Sequence, residues 1–253
     1  MSVIRIIYCQ KFSIFFSLFL PVNYFLSALL LVIIQNKIIM KIGIIGSGNV
    51  GKTLALGFEK YNHTVTISSR TPEKLKEWKQ SSGFKGDLGN FSQASTFGEI
   101  LVLAVSGSAV EAVLKDIGQE PLQGKIVIDA TNPIASEPPV NGVLKFFTRL
   151  DDSLMEQLQR KYPDARFVKA FNCIGSAHMV EPDFGGIKPT MFICGNDATA
   201  KREVTVILTQ FGFEVQDMGG VEAARAIEPL CILWCIPGLT KNEWNHAFKW
   251  LIK

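Results

Sequence analysis

Acidic residues are missing from the first thirty-nine positions of this 253-residue chain, which carry only Arg5, Lys11 and Lys37 as charged groups. The 26 basic residues less those three leave 23, which 23 acidic ones balance. A body with no net charge has no overall attraction for phosphate backbones, which excludes nucleic-acid binding as its main task. Histidine is scarce, with only His63, His178 and His246. None of the five cysteines forms a C-x-x-C pair, and the cysteines and histidines do not repeat at the paired spacing of a zinc motif. A structural zinc site is therefore not expected, and no metal is assigned. Cys231 and Cys235 sit one helical turn apart in an apolar run. With Cys9, Cys173 and Cys194 they read as buried free thiols of a reduced, cytosolic protein. Charged residues are only 19% against 47% hydrophobic, so disorder is excluded.

Phe12 to Asn36 holds no charged side chain. As a helix it would reach roughly 37 Å at about 1.5 Å per residue, enough to cross a bilayer. Pro21 and Asn23 interrupt it. Three readings of this apolar leader (residues 1–39) stand: a membrane anchor touching lipid through residues 12–34, an export signal, or translated upstream sequence. Met40 directly precedes the first strand of the globular part, which favours the third. The body itself reads as a cytoplasmic catalytic domain.

Met40–Ile45 is a short apolar run of strand type, and Gly46-Ser47-Gly48-Asn49-Val50-Gly51 follows at once. Lys52–Lys60 then reads as a helix, with Val50, Leu54 and Phe58 on one face. His63–Ile67 is the next strand, rich in β-branched residues. Strand, glycine loop, helix and strand is the context that a G-x-G-x-x-G dinucleotide fingerprint requires. Gly46 allows the tight turn, Gly48 lets backbone approach a pyrophosphate, and Gly51 lets helix and strand pack closely. Where a binder of the non-phosphorylated cofactor places Asp or Glu, this chain reads Ser68-Ser69-Arg70-Thr71-Pro72-Glu73-Lys74. Ser69, the planar fork of Arg70 and the ammonium of Lys74 suit a 2′-phosphate, so NADP(H) is expected over NAD(H).

Apolar strand runs recur at Glu99–Val105, Lys125–Asp129 and Arg166–Phe171, with helices at Ser108–Ile117 and Ser153–Lys161. The alternation predicts an α/β fold, a Rossmann-type doubly wound parallel sheet. Ligands bind such sheets beyond the carboxyl ends of the strands. That places Val105–Ser106, Thr131–Pro133 and Asn172–Cys173 around the nicotinamide.

Met40–Gly51, Ser69–Arg70, Asp129–Pro133, Lys169–Asn172, Cys194–Asn196 and Asp217–Gly220, in that order, resemble the coenzyme F420-dependent NADP reductase family. They are also similar to the oxidoreductase domain of the STEAP metalloreductases. The resemblance covers nearly all of residues 40–253. It implies an NADP-binding Rossmann domain over residues 40–172 and a small C-terminal α/β domain over 173–253, serving the acceptor side and homodimer formation. That second domain would hold strands at Thr190–Cys194 and Phe213–Gln216 and helices at Ala198–Gln210, Ala223–Ile236 and Lys241–Leu251. The resemblance also implies a serine–arginine grip on the 2′-phosphate by Ser69 and Arg70, a further contact at Lys74 and a loop hydroxyl at Ser47. The archaeal deazaflavin reductases carry a histidine where this chain has Asn172, a version closer to the flavin-linked metalloreductase form.

The implied enzyme transfers hydride between NADP(H) and a small redox partner, a deazaflavin (coenzyme F420) or a flavin. Transfer between stacked rings is chiefly positioning. No general acid or base stands out, so Thr131, Asn132, Pro133 and Asn172 are expected to position, with Asn132 also contacting cofactor. His178 could touch an acceptor. Arg225 and Glu228, one turn apart, read as a local ion pair. Two rivals stand: a pyrroline-5-carboxylate reductase-like imine reductase, and a redox sensor that binds NADP(H) without turnover.

Overall fold

Aliphatic and β-branched runs alternate with amphipathic helices from Met40 onward, and each run becomes a strand. The structure is a computed structural model that describes residues 39–253. The apolar leader, its expected helical segment and Cys9 lie outside the described residues. The first half runs β1 (Lys41–Ile45), α1 (Asn49–Lys60), β2 (Thr64–Ser68), α2 (Lys76–Ser82), β3 (Asp87–Gly89), α3 (Phe91–Phe97), β4 (Ile100–Leu103), α4 (Gly107–Ile117) and β5 (Ile126–Asp129). Then come α5 (Leu154–Lys161), β6 (Arg166–Lys169), β7 (Thr190–Ile193), α6 (Ala198–Gln210), β8 (Glu214–Asp217), α7 (Ala224–Ile227) and α8 (Leu230–Lys241).

Six strands form one parallel sheet in the order β3-β2-β1-β4-β5-β6. The order reverses beside β1, the switch point where such sheets bind ligands. Successive residues of each strand go to opposite faces. Ile42, Ile44, Val102, Ile128 and Val168 pack with Leu54 and Phe58 of α1 and Leu208 of α6. Ile45, Leu101, Leu103, Val127 and Phe167 pack with Val110 and Leu114 of α4 and Leu158 of α5. Each fully buried side chain of this size contributes about 1.5–3 kcal/mol, so both faces must stay covered.

β7 and β8 make a second, two-stranded parallel sheet. It meets the first through a bridge in which the Lys169 amide donates to the Cys194 carbonyl at 3.0 Å. Met40–Lys253 forms one compact unit.

Pro229 is expected to break or kink the helical stretch over Ala223–Ile236, and it does: a new helix starts there after α7. One expectation is corrected. The helix expected over Lys241–Leu251 is absent, since no helix extends past Lys241. Asn242 takes φ 58°, a left-handed conformation that asparagine tolerates, and its amide closes on the Gly238 carbonyl. The tail then runs beside β7, where the Thr190 amide donates to Phe248 and the Trp250 amide to Thr190 Oγ1. One helical run among the described residues, Val221–Lys241, is long and apolar enough to cross a membrane. It packs on the unit through Ala224, Ile227, Cys231 and Trp234, and it carries the buried Glu228.

Candidate functional site

The glycine loop joins β1 to α1. Gly46 has φ 125°, and a Cβ there would stand 2.4 Å from the Ala104 carbonyl oxygen. A Cβ at Gly51 would stand 2.3 Å from the Gly46 carbonyl oxygen. The fold itself requires these two glycines. Gly48 differs. Its backbone, φ −72° and ψ −175°, is open to any residue, and a Cβ there would meet nothing within 4 Å. The space over Gly48 is a cradle that a side chain would occupy. No side chain caps α1, and its first turn holds no acid, so its amide N–H groups are left for an anion. Loop and helix end thus fit a dinucleotide's pyrophosphate. Ser47 and Val50 are half-buried beside the loop, and Asn49 is exposed.

Beside this loop, the Gly46 amide donates to Ser68 at the end of β2. Ser69 follows, its amide bound to Gly89 and its hydroxyl accepting from the Thr71 amide at 2.9 Å. Arg70 and Lys74 are exposed, and neither makes an ion pair among the described residues. Two unpaired cations stand where a carboxylate would select NAD(H). A 3-10 turn at Pro72–Leu75, which carries Lys74, follows Arg70 and leads into α2. Replacing Arg70 by Ala is expected to raise the NADPH dissociation constant roughly tenfold, the worth of one charge-assisted contact, with NADH little changed. Fluorescence titration with both cofactors checks this; a parallel loss would point to the fold instead.

On the other side of β1, Val105 and Ser106 follow β4, with Ser106 Oγ 3.3 Å from Ser108 Oγ. Thr131, Asn132 and Pro133 follow β5, and Asn172 follows β6. The glycine loop, Ser69, Val105–Ser106, Thr131–Pro133 and Asn172 thus all follow the carboxyl ends of strands in one parallel sheet. The Asn132 side-chain amide donates to the Asn172 carbonyl at 2.8 Å. The Asn172 side-chain amide donates to Asn132 Oδ1 at 3.3 Å and to the Ile227 carbonyl at 2.9 Å. Asn172 is only 4% exposed, and its Oδ1 has no hydrogen-bond partner among the described residues. An orphaned buried acceptor costs free energy unless something donates to it.

Local reading of the chain missed the charges beneath these residues. Lys169 is fully buried. Its ammonium lies 2.8 Å from Asp129 Oδ2, 2.8 Å from the Thr131 carbonyl and 3.0 Å from Glu228 Oε1. Asp129 Oδ1 accepts from the Thr131 amide and hydroxyl. Glu228 also accepts from the Leu154 and Met155 amides, the start of α5. Burial alone would lower the Lys169 pKa, but Asp129 and Glu228 outweigh it and hold it above the ordinary lysine value. A signal was present: two buried strands end on opposite charges, and Asp129 and Lys169 are register partners.

The expected Arg225–Glu228 pair is corrected accordingly. Arg225 turns instead to Glu156, with Nη2 2.5 Å from Oε1. Burial acts to raise the Glu156 pKa, yet the Arg225 and Ser153 hydrogen bonds prevail and hold it down to about 2. His178 is half-buried on Asn245 and Phe184. Cys173 and Cys194 are buried, which pushes both thiols up to about 12 and leaves them inert at neutral pH.

The fold and the cradle fit the binding of a dinucleotide, and comparison with known proteins points to a class that uses NADP. Residues 41–133 match the family described as NADP oxidoreductase, coenzyme F420-dependent. A solved structure from Arthrobacter sp. FB24, assigned as an F420-dependent NADP-reductase, superposes with a TM-score of 0.79 at 32% identity, covering 84% of this chain and all of that one. The chain belongs to this family of NADP-dependent oxidoreductases. Among curated proteins it is 29% identical over 208 residues to Metalloreductase STEAP3 of Rattus norvegicus, covering 79% of this chain. It spans only 38% of that relative's length. An imine reductase from Aspergillus terreus shares the fold, with a TM-score of 0.58 at 19% identity.

Proposed function

We propose that the chain transfers hydride between NADPH and a flat tricyclic acceptor, a deazaflavin of the coenzyme F420 kind or a flavin. Residues 40–172 would hold the cofactor and residues 173–253 would complete the acceptor side. One observation carries the acceptor class. The ionisable side chains ending β5 and β6, Asp129 and Lys169, are wholly buried and spent on each other and on Glu228. This edge therefore presents amides and a hydroxyl rather than a proton donor or base. Such an edge suits transfer between two rings and not reduction of an imine, whose nitrogen benefits from a placed acid. Similarity to the Arthrobacter protein over its whole length supports the same reading.

NADPH supplies the hydride. Gly48 and the α1 amides would receive its pyrophosphate, and Ser69, Arg70 and Lys74 its 2′-phosphate. Thr131, Asn132, Pro133 and Asn172 would seat the nicotinamide end. Holding two rings at about 3–3.5 Å in alignment supplies most of the rate such a site can provide. The test is anaerobic oxidation of NADPH by the full chain against coenzyme F420, FMN, FAD, a ferric chelate and a cyclic imine. Reduction of F420 or a flavin is the expected result. Faster turnover of the imine, or no turnover with any acceptor, would overturn the proposal.

A further inference from the structure

The orientation of Asn172 is settled by main-chain atoms. Ile227 presents a carbonyl to it, which must receive a donor. The Asn132 side chain donates to the Asn172 carbonyl, so Asn132 turns its own Oδ1 toward the Asn172 amide. Both neighbours thus take the nitrogen of Asn172, and its oxygen is left as an acceptor without a partner. Each neighbour adjoins the buried triad. Asn132 follows Thr131, whose carbonyl binds Lys169 Nζ. Ile227 precedes Glu228, whose carboxylate binds the same ammonium. Lys169 itself lies three residues before Asn172, at the end of β6. One buried cation therefore pins both groups that orient the asparagine.

We propose that Asn172 Oδ1 accepts the carboxamide N–H of the nicotinamide, and that the Lys169–Asp129–Glu228 triad is a positioning device that holds it in place. Asn172 touches the cofactor; the triad acts through Thr131–Asn132 and Ile227. The inference rests on NADP(H) binding and not on the acceptor's identity, so a titration without acceptor separates its failure from that of the acceptor assignment.

The probe is NADP+ compared with its 3-acetylpyridine analogue, in which an acetyl group without N–H donors replaces the carboxamide. Wild-type protein should bind NADP+ about fivefold more tightly, the worth of one neutral hydrogen bond. Asn172→Ala should bind both ligands alike. Glu228→Gln leaves Lys169 paired with Asp129 and should fold; its preference should fall to about twofold, because one of the two anchors is loosened. A merely structural role would weaken both ligands equally and leave their ratio unchanged. Equal wild-type affinities, or a ratio undiminished in Asn172→Ala, would overturn the carboxamide contact. A full ratio in folded Glu228→Gln would overturn the triad's part. Wild-type protein that binds neither ligand would overturn both.

Discussion

Gly48→Thr is expected to melt within a few degrees of the wild type and to lose roughly a hundredfold in NADPH affinity, about 2.7 kcal/mol. The backbone at Gly48 already lies in a region that any residue adopts, and a Cβ there meets no protein atom. Threonine is about as good as glycine at a helix N-cap, so α1 is not weakened. What the side chain would fill is the space above the loop, where a pyrophosphate must come within hydrogen-bonding reach of the α1 amides. The control is Gly46→Thr. There φ is 125° and the Cβ would press to 2.4 Å from the Ala104 carbonyl oxygen, so the variant should fail to fold. Calorimetry with NADPH and a thermal melt on the same samples check both. Undiminished NADPH binding by Gly48→Thr would place the cofactor elsewhere.

Lys169→Met removes the only cation that faces Asp129 and Glu228 among the described residues. Two buried carboxylates would remain, and stranding such charges costs about 3–5 kcal/mol. The pH dependence gives the mechanism away. In the wild type Lys169 is held above its ordinary value, so its contribution is fully present at neutral pH and fades only in the alkaline range, beyond about pH 10.4. In Lys169→Met the stranded carboxylates should have pKa values raised by burial. A raised folded-state value means that stability is gained as pH falls, so the variant's urea midpoint should climb from pH 7 toward pH 5. That gain should be missing from the wild type. Adding Asp129→Asn and Glu228→Gln should recover much of the loss at pH 7. A variant as stable as wild type at pH 7, or insensitive to acidification, would show that the triad carries little of the fold.

Much of the cofactor half was legible because its logic is local. The turn, the helix end and the exposed cations Arg70 and Lys74 fall within Gly46–Lys74, and the geometry of the turn and helix end follows from glycine conformations and helix ends. The placement of Val105, Ser106, Thr131–Pro133 and Asn172 on one sheet edge was also legible, because parallel strands all end there. Choice of ion-pair partner was not. Spacing on one helix suggested Arg225 with Glu228, a weak surface pair at best. Burial of Glu228 against β6 made Lys169 its partner instead, and Arg225 was left to Glu156 in α5. Likewise, the resemblance implied a helix over Lys241–Leu251, but Asn242 ends α8, and Thr190 donates its amide to Phe248 and accepts from the Trp250 amide.

By itself, the chain's order of residues determined a parallel α/β sheet, a glycine loop between β1 and α1, and the absence of a carboxylate where β2 ends. Each of these depends on neighbours a few positions apart. Only the tertiary structure decided which distant charges meet beneath the site and how Asn172 is turned, because a buried charge takes whatever partner packing brings within reach of it. Lys169 reaches Asp129 and Glu228 across 40 and 59 positions of chain, a distance over which no periodicity of side chains carries information.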